Sequence, residues 1–179
     1  MPLDDFLLGI LPVGYIDPAW LKITAGSFQG ELRIKPRILP ALALPEYAYD
    51  ERRIQYNAGQ IISRLENKIF HGCNAVIAMI DEDLFIPVFS YVLGEARMNG
   101  RCALVSVFRL EDNPSRIVKV AFHEFGHLMN LEHCHKQGCV MTFSKNIEQL
   151  DAISSIFCRY CLDQVRYAVH KKTIKPQII

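Results

Sequence analysis

The sequence predicts one α/β (α+β) domain in which a mixed, twisted sheet packs on helices, followed by a small cysteine-rich C-terminal subdomain. Three observations carry this. Short apolar runs alternate with longer segments of helical period. A chain of 179 residues, half of them hydrophobic, is the length of one domain and can bury a real core. Four of the six cysteines fall in two close pairs after residue 133. No internal repeat or low-complexity segment interrupts the pattern.

Residues 7–16 are apolar and read as a first buried strand, interrupted by Pro12 and Gly14. Asp17-Pro18 starts a helix, a cap residue followed by proline at the first helical position. That helix carries Trp20, Leu21 and Phe28 and is expected to end between Gly26 and Gly30. Residues 32–39 form a second strand that Pro36 weakens at its centre, and 40–45 form a loop. Asp50 is placed to cap a helix whose apolar positions Ile54, Ala58, Ile61, Ile62, Leu65 and Ile69 face the core, with Gly72 as its stop. Residues 75–80, AVIAMI, are a buried parallel strand. Asp81, Glu82 and Asp83 after it read as a solvated acidic turn rather than a hard-cation site. Residues 88–93 and 101–108 read as a strand pair joined by the loop 94–100. Asn113-Pro114 opens a further helix, anchored on the sheet by Ile117, Val118, Ala121, Phe125 and Leu128. Residues 162–170 read as a terminal helix and 171–179 as a frayed tail. Cys73 and Cys102, each beside an apolar strand, read as small buried residues.

The anchored helix carries His123-Glu124-Phe125-Gly126-His127, and the pattern continues through Asn130 to His133 as HExxHxxNxxH. Histidines four apart share one helical face, so His123 and His127 can reach one ion. Glu124 then sits beside the open position of that ion, where a general base for water belongs. In a continuous helix, His133 would lie roughly 9 Å further along the axis and off that face. The chain must therefore bend before His133, and Asn130, tolerant of the left-handed conformation, is the residue placed to end the helix.

Cys134 follows at once, then Cys139, Cys158 and Cys161, giving C-x4-C and C-x2-C pairs. Four thiolates make a closed tetrahedral zinc site that activates no water, so this metal is structural. His135 or His170 could replace a thiolate, but the full cysteine set is simpler. The start of the chain has Asp4 and Asp5 and no basic n-region, which argues against export and disulfides and for a cytoplasmic protein.

This arrangement closely resembles the archaemetzincins, metzincin peptidases that carry a second, cysteine-bound zinc after the catalytic one. The upstream run Leu93-Gly94-Glu95-Ala96 and the strand Ala103-Leu104-Val105-Ser106 look like that family too. One departure is Asn130, which stands where metzincins usually have glycine. The resemblance implies a metzincin-like fold, with residues 1–133 as the catalytic core and 134–179 as a subdomain integrated with it. It places Met141 on the methionine turn beneath the histidines. It also implies an edge strand pairing with extended substrate, and Val88, Phe89, Ser90, Tyr91, Val92 and Leu93 are placed for that.

The function expected is that of a zinc-dependent metallopeptidase binding two zinc ions and acting on a peptide or protein. Alternatives from other classes are a catalytically silent peptide-binding zinc module and a zinc- or redox-sensing protein. An intact Glu124 argues against a pure binder. A formal charge of +1 and no long Lys/Arg run argue against nucleic acid, and no apolar stretch reaches the ~18 residues of a membrane span. Cleavage from the amino end would call for an acidic partner near the metal, which Glu95 or Asp81 to Asp83 could be if folding brings them close.

Overall fold

The computed structural model describes residues 5–174. In chain order its elements are β1 (Leu8–Val13), α1 (Pro18–Leu32), β2 (Arg37–Ile38), β3 (Tyr49–Asp50), β4 (Gln55–Asn57), α2 (Ala58–Glu66), β5 (Ala75–Ile80), β6 (Leu84–Phe85), β7 (Gly94–Ala96), β8 (Cys102–Ser106), α3 (Pro114–Leu128), α4 (Ile147–Ala152) and α5 (Arg159–Ile174). The main sheet has the order β2-β1-β5-β8-β7, parallel except for β7, which runs antiparallel at one edge. A three-stranded sheet, β3-β4-β6, packs beside α2.

Helices cover both faces of the main sheet, which is why its central strands are continuous apolar runs. Along β5, Ala75, Ile77 and Met79 face the layer of α1, α3 and α5, whereas Val76, Ala78 and Ile80 face α2 and the small sheet. Helix α3 is seated by edge-to-face rings, with Phe28 against Phe122 and Phe125 at 4.8 and 5.1 Å and Phe6 against Phe125. The segment after residue 133 joins the same core through Val140, Met141, Leu150, Phe157 and Val165. Among the described residues no helix is long and apolar enough to cross a membrane.

Several boundaries differ from the sequence expectation, each for a local reason. Helix α1 runs through Gly26 and Gly30, because its buried stripe Leu21, Thr24, Phe28 and Leu32 continues; it ends at Arg33 in the left-handed conformation. Pro36 leaves only Arg37–Ile38 of the second strand. Asp50 caps no helix: its Oδ1 accepts from the backbone N–H of Arg52 and Arg53 in the turn between β3 and β4. Helix α2 is capped instead by Asn57, whose Oδ1 accepts from Gln60 N at 3.1 Å, and it ends at Glu66, before Gly72. Ile54 and Ile69 therefore lie outside it and are exposed.

The largest correction concerns residues 88–93. They are turn and bend with one isolated bridge, Val92 to Leu84, and the edge strand is Gly94–Ala96, inside the expected loop. Helix α4 was not foreseen, though Asn146 accepts from Gln149 N and Gln149 Oε1 accepts from Lys145 N, a capping signature visible in the sequence. Helix α5 extends beyond 162–170 in both directions, so residues 171–174 are its last turn; residues 175–179 of the expected tail lie outside the described residues.

Candidate metal centre

Two turns of α3 and one chain reversal build the first cluster. The ligand-capable nitrogens of His123, His127 and His133 all lie within 4.8 Å of one another. His123 Nδ1 donates to Val140 O and His127 Nδ1 to Leu131 O, both at 2.8 Å. Those bonds assign the tautomers, leaving the two Nε2 lone pairs 3.1 Å apart with no proton between them. Two nitrogens on one tetrahedral zinc, at Zn–N distances of about 2.0–2.1 Å, would sit about 3.3 Å apart, so the donor set fits that ion.

The reversal works as the spacing demands. Asn130 has φ 65°, its N–H and that of Asn99 reach His127 O at 2.9 Å, and Leu131 N–H closes on Gly126 O at 2.9 Å. Leu131 O is then free to take the His127 ring, and His133 returns beside the other two. Burial above all, and the neighbouring imidazoles after it, lower the histidines, His123 to about 4. All three are therefore neutral at pH 7, the form that binds metal.

Glu124 is buried next to this cluster. Burial first and the charge of Glu95 second push its carboxyl well above the usual carboxylate range. A dication at the histidines would act in the opposite sense. Its place depends on Gly94, whose missing Cβ would lie 2.7 Å from the Glu124 Oε1 and Cγ. On the other side of α3, a Cβ on Gly126 would meet the Met141 sulfur, so Met141 packs directly beneath the histidine turn, fully buried. Lys119 ties α3 to α4, with Nζ donating to Leu150 O at 3.0 Å and Asp151 O at 3.3 Å.

A cleft of about 340 Å³ opens over the three histidines and Glu124. Its walls include Phe89, Tyr91, Leu93, Phe143 and Leu150, and β7 runs along its edge. Ser106 N–H donates to Leu93 O, and Glu95 pairs with Leu104. The alternation of an antiparallel ladder thus turns the N–H and C=O of Gly94 and Ala96 to the open edge. Glu95 lines the cleft, whereas Asp83 is committed to Arg109 and the Asp81 to Asp83 turn lies outside it.

The second cluster brings together the sulfurs of Cys134, Cys139, Cys158 and Cys161, again within 4.8 Å of one another; His135 and His170 are not part of it. The Cys134 and Cys158 sulfurs are 3.9 Å apart, near the roughly 3.8 Å that Zn–S distances of about 2.3 Å give in a tetrahedron. Burial raises the Cys139 and Cys161 thiols. At Cys158 burial also acts upward, but the Cys161 N–H and the facing thiols outweigh it and bring the thiol down to about 7. Cys73 and Cys102 are buried away from both clusters, and burial lifts the Cys102 thiol to about 12, an unreactive group.

Sequence reasoning missed Gly94 as the residue that makes room for Glu124, because the three-residue strand holding it is defined only by its pairing with β8. It also missed Lys119, which no local pattern marks.

A model of peptidase family M54 matches residues 31–167. The archaemetzincin of Methanopyrus kandleri is 38% identical over 142 residues, covering 76% of this chain and 79% of that one. The archaemetzincin of Methanocaldococcus jannaschii is 32% identical over 168 residues, covering 88% and 91%. Among solved structures, the M. kandleri archaemetzincin superposes with a TM-score of 0.82 at 30% identity, over 92% of this chain and 96% of that one. The Archaeoglobus fulgidus archaemetzincin, solved with malonate, gives 0.79 at 29% identity, over 89% and 99%.

Proposed function

Because this chain belongs to peptidase family M54, and is thereby a zinc metallopeptidase, we propose that His123, His127 and His133 hold its catalytic zinc and that Glu124 is the general base of peptide-bond hydrolysis. The observation that carries the assignment is the pair of proton-free Nε2 atoms facing each other at 3.1 Å beside a buried carboxyl. Zinc held there by the three histidines would supply a Lewis acid for the scissile carbonyl and for the attacking water.

The protein's own groups do the rest. The Glu124 carboxylate accepts a proton from the attacking water and returns it to the leaving amine. Met141 under Gly126 and Lys119 at Leu150 O keep α3 from shifting, so the base and the histidines hold one geometry. An extended peptide pairs with the outward N–H and C=O of Gly94 and Ala96 on the edge strand β7, in place of residues 88–93. Cys134, Cys139, Cys158 and Cys161 hold a second, structural zinc that ties the start of the 134–179 segment to α5.

The test is Glu124→Ala. The variant is expected to retain both zinc ions and to lose about 10²–10⁴-fold in hydrolysis rate. Full activity in that variant would remove Glu124 from the mechanism.

A further inference from the structure

One wall of the cleft is residues 86–92, a strap with little ladder of its own. Val92 N–H reaches Leu84 O at 2.9 Å and Phe89 N–H turns back to Ile86 O at 3.0 Å. Side chains from β4 and from the turn before it hold it instead. Arg53 Nη2 donates to Phe89 O and Ser90 O, both at 3.1 Å, and Gln55 Nε2 donates to Ser90 O at 2.9 Å. Gln55 is buried; its Nε2 also donates to Asp83 Oδ2, and its Oε1 accepts from Arg53 Nε. Asp83 takes both arms of the Arg109 guanidinium at 2.6 Å, and that guanidinium lies 4.3 Å from the centre of the Tyr91 ring.

The strap is thus gripped at three successive residues, and two of them, Phe89 and Tyr91, line the cleft above the histidines. Phe89 and Val88 also leave apolar surface exposed on it. The grip depends on a strained turn: Ile54 has φ 55°, unfavourable for a β-branched residue, yet its N–H bonds to Asp50 O at 2.8 Å while Asp50 Oδ1 takes the N–H of Arg52 and Arg53. That turn sets Arg53 beside Gln55.

We propose that Arg53 and Gln55 are positioning residues for substrate, locking the 86–92 strap so that Phe89 and Tyr91 meet a peptide in one arrangement. The proposal rests on the reading of this cleft as the peptide site. Without the grip the strap samples other arrangements, and binding must first select the competent one. The cost therefore falls on substrate capture, while Glu124, His123 and His127, held on α3, and His133, held by the reversal after it, are untouched.

The experiment uses zinc-loaded full-length protein and Arg53→Met, which keeps an unbranched side chain but removes the donors and the guanidinium that lies 4.1 Å from the centre of the Phe85 ring. Amide exchange is read by mass spectrometry on fragments spanning the strap. Kinetics use a quenched fluorescent peptide taken from those the wild type cleaves in a random library. Exchange in the strap is expected to quicken about tenfold and KM to rise about tenfold, with kcat within about twofold and zinc content unchanged. Arg53→Lys should recover part of the loss, and Gln55→Met should show the same split. Unchanged exchange, or a fall in kcat at constant KM, overturns the proposal. Faster exchange beside an unchanged KM also overturns it. A wild type that cleaves no library peptide overturns instead the reading of the cleft on which it stands.

Discussion

Replacing Gly94 by alanine isolates the placement of the general base from its chemistry. The new Cβ would lie 2.7 Å from Glu124 Oε1 and Cγ, and 2.9 Å from Cδ. Ordinary contact begins near 3.4 Å, so the Glu124 side chain from Cγ outward must retreat by about 0.7 Å, a swing its own torsions allow. The fold should therefore survive and the chemistry should not. Misplacing a catalytic group by about 1 Å costs up to about 10²-fold, so kcat/KM is expected to fall by roughly 10–10²-fold. The assay is hydrolysis of a quenched peptide, with zinc content and thermal unfolding measured on the same preparation. Wild-type activity in Gly94→Ala would show that Glu124 need not occupy its observed position, and the close approach of β7 to α3 would lose its catalytic meaning.

Two further outcomes follow from the cysteines and from Asp83. Cys158→Ala should lower the zinc bound per chain by one ion, lower Tm by about 5 °C or more and weaken zinc retention at the histidines, since Cys134 adjoins His133; unchanged Tm and unchanged histidine-site affinity would sink the structural role. Burial raises the Asp83 carboxyl, but hydrogen bonds from Arg109 and Gln55 together with the Arg109 charge outweigh it and hold the carboxyl below its usual value. A folded pKa below the unfolded one gives stability that is present above about pH 4 and lost as pH falls through the folded value. Arg109 is 40% exposed, so the contribution is below about 1 kcal/mol. Asp83→Asn should flatten the acid limb of stability against pH, and an unaltered limb would show that the pair contributes nothing.

What the sequence disclosed was what short-range geometry decides. The i, i+4 histidines, the Asn113-Pro114 helix start, the left-handed residue at Asn130 and the two cysteine pairs are all set by spacings of a few residues. The small sheet escaped because strands of two or three residues leave no period to count, and Asp50 and Asn57 are equally good caps by chemistry. The choice between them falls to the parallel pairing of β4 with β6, a contact between residues about thirty positions apart. Gly94 looks like loop in the sequence for the same reason, since its strand exists through Val105 and its purpose through Glu124. Arg53 and Gln55 grip a segment more than thirty residues downstream, and no local pattern announces that.

The measurement that bears most directly on the central claim is a mass-spectrometric digest of a diverse peptide library by zinc-loaded protein and by Glu124→Ala, with zinc counted in both. Cleavage by the wild type and its loss in a variant that still holds both ions is the expected result, and the fragments would also give the site and end preference. A wild type that holds both zinc ions and cleaves nothing, or a variant that cleaves as well as the wild type, would contradict it.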